Sequence, residues 1–246
     1  MRFDPPAATF ARVVEIACLP PIQLPTALGV DRQGNPYIAG ISIDRQLLRI
    51  DAVAGACHRT GFEPNLAGFG IAFSMEPRSG GDTLYAIEDG ELASLDTSTF
   101  NRMIIGPVGV MTTSGSGSAG TASFLTGTSA GDLFTTYPLR LVPSSPPAQR
   151  SRSQPGMMVS PPIVSIGEVS KSTGAVTDRW SLTLPATGPS QIQAFAFWGG
   201  DFYFFVMSGA GTAVWRFRPS DGSTVQVAQT PEIILAAGVS TCAPIR

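Results

Sequence analysis

Four times along this 246-residue chain, two apolar runs are separated by a turn that ends in Gly-Asn or Gly-Asp: Gly34-Asn35, Gly81-Asp82, Gly131-Asp132 and Gly200-Asp201. The flanking runs are dense in aromatic and β-branched residues, which favour strands. Gly followed by Asn or Asp suits a tight hairpin, because both tolerate positive φ. The last copy, AFAFWGGDFYFFVMSGAGTAVWRFRP, reads as three strands in a row. A second anchor recurs at the end of each third strand: RIDAVAG, SLDTSTF, EVSKSTG and RFRPSDG. From Asn35 through Asp82 and Asp132 to Asp201 the intervals are 47, 50 and 69 residues. A period near 50 with four short strands per unit predicts a β-propeller. One four-stranded sheet has two apolar faces, and stacking sheets about an axis covers both.

In residue numbers, unit one is read as strands at 27–31, 36–43, 46–51 and 56–62. Unit two has 69–75, 83–87, 91–96 and 102–105. Unit three has 124–128, 133–137, 164–169 and 176–184. Unit four has 194–198, 202–207, 213–219 and 224–229. Two further strands are expected near the termini, Phe10 to Leu19 and Ile233 to Cys242. The third interval is long because residues 138–162, PLRLVPSSPPAQRSRSQPGMMVSPP, are inserted between strands two and three of unit three. Their Pro, Ser and Arg content predicts a loop without regular structure. The expected architecture is all-β: residues 1–9 as a frayed arm and 10–246 as one propeller of four four-stranded blades. The alternative is five blades, one of them formed by the terminal strands.

Charge excludes some partners. A net charge of -2 argues against nucleic acid and anionic membranes. No apolar run reaches transmembrane length. The first residues, MRFDPPAATFARVVEIACLPP, lack the basic start and apolar core of a signal peptide.

Catalytic residues do not assemble. His58 is the only histidine. It adjoins Cys57, but neighbours in a strand point to opposite faces, so an exposed strand residue is expected rather than a Cys-His pair. One His and three scattered Cys offer no zinc spacing, and no metal or cofactor is assigned. Asp31, Asp51, Asp96 and Asp221 fall at strand ends, where Asp bonds turn amides. Glu88, Asp89 and Glu91 around Gly90 read as a solvated hairpin turn. The aromatics from Phe195 to Phe217 read as filling between blades rather than as a sugar platform. The inserted loop is locally basic, with Arg140, Arg150 and Arg152, and is the candidate binding element. The loop between strands two and three shares a face with the blade-to-blade loops, where propeller ligands usually bind.

The segments FSMEPRSGGDTLYAIEDGELASLD, FLTGTSAGDLF, IGEVSKSTGAV, AFAFWGGDFYFF and AAGVSTCAP resemble the secreted, often lipid-anchored propeller-like proteins found in many paralogous copies in myxobacteria. The resemblance spans about Val13 to Pro244. It implies an extracytoplasmic setting and no particular activity. That family carries an export signal and a linker upstream, neither of which lies in this sequence. An exported setting permits disulfides. Cys18 and Cys242 each stand two residues before a Pro on a terminal strand, so a ring-closing Cys18–Cys242 bond is expected, leaving Cys57 free. Antiparallel terminal strands would hold those two cysteines apart, and Cys18–Cys57 is the alternative. The functional expectation is a non-catalytic binding or scaffold module for a protein or glycan. The alternative is an enzyme of the lactonase or lyase kind acting at the channel mouth.

Overall fold

A computed structural model describes residues 1–16, 24–41, 46–64, 69–108, 124–138, 163–184 and 191–246. Among them there is no helix, and the strands form four four-stranded antiparallel sheets and one hairpin. The hairpin is β1 (Arg2–Asp4) with β2 (Thr9–Ala11). Blade 1 holds β3 (Leu24–Val30), β4 (Pro36–Ile41), β5 (Leu48–Ile50) and β6 (Cys57–Arg59). Blade 2 holds β7 (Gly70–Met75), β8 (Asp82–Glu88), β9 (Glu91–Leu95) and β10 (Arg102–Pro107). Blade 3 holds β11 (Phe124–Gly127), β12 (Leu133–Pro138), β13 (Ile163–Val169) and β14 (Val176–Thr183). Blade 4 holds β15 (Gln191–Trp198), β16 (Asp201–Ser208), β17 (Gly211–Arg218) and β18 (Ser223–Thr230). Each sheet is a meander in chain order. The chain is a four-bladed β-propeller.

The first strand of each blade is the innermost. β7 lies beside β3 on one side and β11 on the other, and β11 lies beside β15. With only four blades these strands converge closely, which explains their small and hydroxylic residues. A Cβ on Gly127 would come within 2.0 Å of the Phe73 carbonyl oxygen of β7, so only glycine fits there. Thr126 Oγ1 accepts the Phe197 amide at 3.0 Å and ties β11 to β15.

Three seams are blade on blade. Tyr37 meets Phe73 between blades 1 and 2, ring centres 5.1 Å apart. Tyr85, Ile87, Leu125 and Tyr137 fill the seam between blades 2 and 3. Phe134 meets Phe202 edge-on at 5.1 Å between blades 3 and 4, with Trp180 alongside. This last seam absorbs the aromatic run of blade 4: Phe195, Phe202, Phe204 and Phe217 are buried, with Phe197 and Trp215 half-buried. These rings fill the space between blades, as their placement in the repeat predicts.

The other face of blade 4, around Ala194, Tyr203, Phe205 and Val214, is covered differently. Phe3 and Phe10 of the β1–β2 hairpin pack on it, with Ile234 and Ala237 from beyond β18. Phe3 lies 5.8 Å from Tyr203 and 6.1 Å from Phe205, ring centre to centre. Three expectations are corrected here. Residues 1–9 do not fray, because Phe3 gains an aromatic contact surface and β1 an antiparallel partner. The strand read at 233–242 is an irregular segment with one parallel bridge, Val30 to Ser240. Of the strand read at 10–19, Thr9–Ala11 is strand and 12–16 is not.

The turns explain the repeat. In each blade the turn after the third strand closes a five-residue loop whose last residue has positive φ: Gly55, Phe100, Gly174 and Gly222, at 69°, 56°, 77° and 71°. Their amides donate to Asp51, Asp96, Ser170 and Arg218 carbonyls at 2.7–2.9 Å. In the first-to-second-strand turns, positive φ falls on Gly34, Gly80, Gly131, Gly199 and Gly200. Asn35, Asp82, Asp132 and Asp201 have ordinary φ. The glycine carries the conformational demand, and the following polar residue is spent on side-chain bonds.

Candidate functional site

The ring has two ends. One gathers the turns between first and second strands and between third and fourth strands, all described. The other gathers the remaining connections. The inserted loop with Arg140, Arg150 and Arg152 leaves from β12 and rejoins at β13 there, and lies outside the described residues. The ends it joins are adjacent, since Pro138 pairs with Val164.

The axis is occupied by the chain itself. After β18, the Ile234 amide donates to Thr212 Oγ1 at 2.9 Å, at the loop-bearing end. Ala236 and Ala237 then line the axial cavity together with the inner strands of all four blades. A Cβ on Gly238 would sit 2.6 Å from the Leu28 carbonyl oxygen, so the segment lies directly against β3. Ser240 bridges Val30 in parallel. The segment then emerges at the turn end and touches every blade. The Cys242 thiol approaches the Arg32 carbonyl at 3.6 Å. Thr241 donates to Asp82 Oδ2 of blade 2. Ser129 of blade 3 donates to the Ala243 carbonyl at 3.4 Å, and the Gly199 amide of blade 4 donates to the Pro244 carbonyl at 2.7 Å. The cavity lined by these residues has about 10 Å³ of water-accessible volume, the lower limit for a single water.

Several polar groups at the turn end are paired with one another. Arg32 donates to Asp82 Oδ1 at 3.0 Å and to the Gly80 carbonyl at 2.9 Å, joining blades 1 and 2. Lys171, the chain's only lysine, bridges blades 3 and 2. Its Nζ donates to the Met75 carbonyl at 2.7 Å and to Glu76 Oε1 at 2.9 Å, and sits 5.3 Å from the Tyr85 ring centre. Tyr85 donates to the same Glu76 oxygen at 2.6 Å. Burial, then the Glu76 carboxylate, push the Tyr85 phenol well above its usual range. Burial would raise Glu76, but the Lys171 and Tyr85 hydrogen bonds hold it below the ordinary carboxylate value. Arg218 grips Asp201 with two bonds at 3.2 and 3.1 Å. The Asp201 hydrogen bond is the main reason its guanidinium is raised.

The residues singled out from sequence fall as follows. His58 is exposed on the outer strand β6, opposite Arg49. Asp31, Asp51, Asp96 and Asp221 accept turn amides at 2.8 Å, as expected of strand-end aspartates. Glu88, expected in solvent, is buried and paired with Arg102, which also reaches Glu91 at 3.4 Å. Among the described residues no three His, Cys, Asp or Glu side chains are grouped for a metal ion.

The cysteine expectation is corrected. Cys242 is a free, exposed thiol, so the Cys18–Cys242 bond does not form. The reason is radial. Cys242 emerges over the axis, whereas Val14 and Glu15, shortly before Cys18, run against Gly55 in the outer turn of blade 1. Cys57, expected free, is disulfide-bonded.

Sequence reasoning missed the axial segment. Its signal was the small-residue run Ala236-Ala237-Gly238, too small to fill a sheet interior yet sized for a narrow axis.

No protein-family model matches the sequence, and no curated protein matches it significantly. Among solved structures, it resembles a chain of a nidogen/laminin complex, with TM-score 0.51 and 10% identity over 89% of this chain and 70% of that one. It is also similar to regucalcin, a calcium-binding protein from Agrobacterium tumefaciens, at TM-score 0.45 and 15% identity, covering 89% and 79%. TolB from Acinetobacter baumannii gives 0.44 and 14%, covering 85% and 44%. These likenesses concern the fold alone. No helix among the described residues is long and apolar enough to cross a membrane.

Proposed function

We propose that this chain is a non-catalytic binding or scaffold module that works outside the cytoplasm, with a protein or glycan as its ligand. The observation that carries the reading is the filled axis. A propeller enzyme of the lactonase or lyase kind needs polar groups converging at an open channel mouth. Here the cavity among the inner strands has about 10 Å³ of water-accessible volume, and Ala236 and Ala237 line it with them. The carboxylates of the turn end that bridge blades are committed to Arg32 and Lys171.

Two features support the extracytoplasmic setting. The disulfide at Cys57 suits an oxidising compartment, and the segments quoted above resemble those of exported proteins. The basic loop with Arg140, Arg150 and Arg152 is the proposed contact element, since it is anchored at the end where propeller ligands usually bind.

The test has two arms on the folded chain. One assays lactone hydrolysis and polyuronate cleavage, with and without calcium. The other measures binding to arrayed glycans and to envelope proteins, for the parent and for the triple Arg140→Ser, Arg150→Ser, Arg152→Ser variant. Saturable binding without turnover, weakened in the variant, is expected. Turnover of either substrate overturns the reading.

A further inference from the structure

We infer that the groove along β3 which holds residues 234–244 is a peptide-binding groove, filled in cis, and that it accepts an extended apolar peptide with small residues at its centre. The inference deepens the binding-module reading and rests on it.

Three observations carry it. The occupant lies as a peptide ligand does: apart from the Val30–Ser240 bridge it has no regular structure, and it runs parallel to the strand it rests on. The bridge is a single step of strand addition, the mode in which main-chain contacts give affinity and side-chain pockets give selection. Second, both ends of the segment reach solvent, at Ile233 and Ile245, so neither end is sealed by the blades. Third, the groove reads its occupant at one point. The 2.6 Å approach to the Leu28 carbonyl admits only glycine at position 238. Ala236 and Ala237, just before it, line the axial cavity, whose water-accessible volume is about 10 Å³.

The experiment keeps the full chain. A specific protease site is inserted between Thr230 and Pro231, and the folded protein is cut. A fluorescein-labelled peptide with the sequence of residues 233–246 is then added, and anisotropy is followed beside circular dichroism. The expected result is a β-rich spectrum retained after cutting, with saturable 1:1 exchange of the labelled peptide for the cut segment. A peptide carrying Gly238→Val binds at least tenfold more weakly. Three outcomes overturn the inference: no exchange into a cut chain that stays folded, equal binding of the Gly238→Val peptide, or unfolding on cutting. The last would make the segment part of the core. Enzymatic turnover in the assay above would sink the binding-module reading and leave the exchange result standing, so the two failures are distinguishable.

Discussion

Phe100 stands where three of the four blades have glycine. Its φ of 56° costs about 1 kcal/mol. The ring packs against the seam between blades 1 and 2, 6.4 Å from Tyr37, and such burial contributes about 2 kcal/mol. Packing outweighs the strain. At the glycines there is no such compensation. Around Gly222 nothing lies within 4 Å of where an alanine methyl would stand, whereas at Gly174 that methyl would meet the Gly106 carbonyl oxygen at 2.6 Å. Gly222→Ala should therefore lose about 1 kcal/mol in urea unfolding. Gly174→Ala should lose at least ~2 kcal/mol, because the contact between blades 3 and 2 must also open. Equal losses would mean that the close approach has no energetic weight. Acid stability is set by the same turns. Hydrogen bonds from Ser98 and Thr99 hold Asp96 at about 2. Turn bonds likewise lower Asp51, through the Ala54 and Val53 amides, and Asp221, through Ser223. A carboxylate with a depressed folded pKa stabilises fully above its unfolded value and loses that contribution as pH falls through the folded one. Unfolding midpoints should drop between about pH 4 and pH 2. Asp96→Asn should show a smaller drop over that window; an unchanged profile would count against the turn bonds.

At the level of strands and loops, the sixteen blade strands are legible in the sequence because each carries apolar density closed by a glycine turn. Boundaries differ by at most a few residues, as at Leu24–Val30 against 27–31. The segment at 233–242 reads as a strand because Ile233-Ile234-Leu235 has strand propensity, while its surroundings, a narrow axis, decide otherwise. Glu88 reads as solvated for a similar reason: its partner Arg102 is fourteen residues away, and no local pattern announces it. The bridging role of Lys171 depends on Glu76 in another blade and has no local signal at all. The inserted loop yields a prediction independent of its conformation. Pro138 already pairs with Val164, so its two anchor points are neighbours. Replacing 139–162 with a short turn should shift stability by only about 1 kcal/mol, read by thermal unfolding. An insoluble product would show that the loop packs into the fold.

For the whole molecule, the decisive feature is that blade 4 is covered on one side by the two chain termini. Cys57 is disulfide-bonded and Cys242 is free. Of the three cysteines that leaves Cys18, and Val14–Glu15 already lies against Gly55, two residues from Cys57. Non-reducing peptide mapping should return a Cys18–Cys57 peptide and an alkylated Cys242. In the chain-entropy picture such a loop stabilises by roughly 4 kcal/mol, so reduction should lower the unfolding midpoint clearly. A Cys18–Cys242 peptide would restore the ring-closing bond that the free thiol argues against.

The axial segment also imposes an order of events. Residues 234–244 are made after all four blades, and until they are, β3 and the exposed flank of blade 4 lack the cover the segment gives them. The four sheets are thus complete before their shared cover is made, and the last event in building the ring is the seating of one extended segment rather than the pairing of another strand.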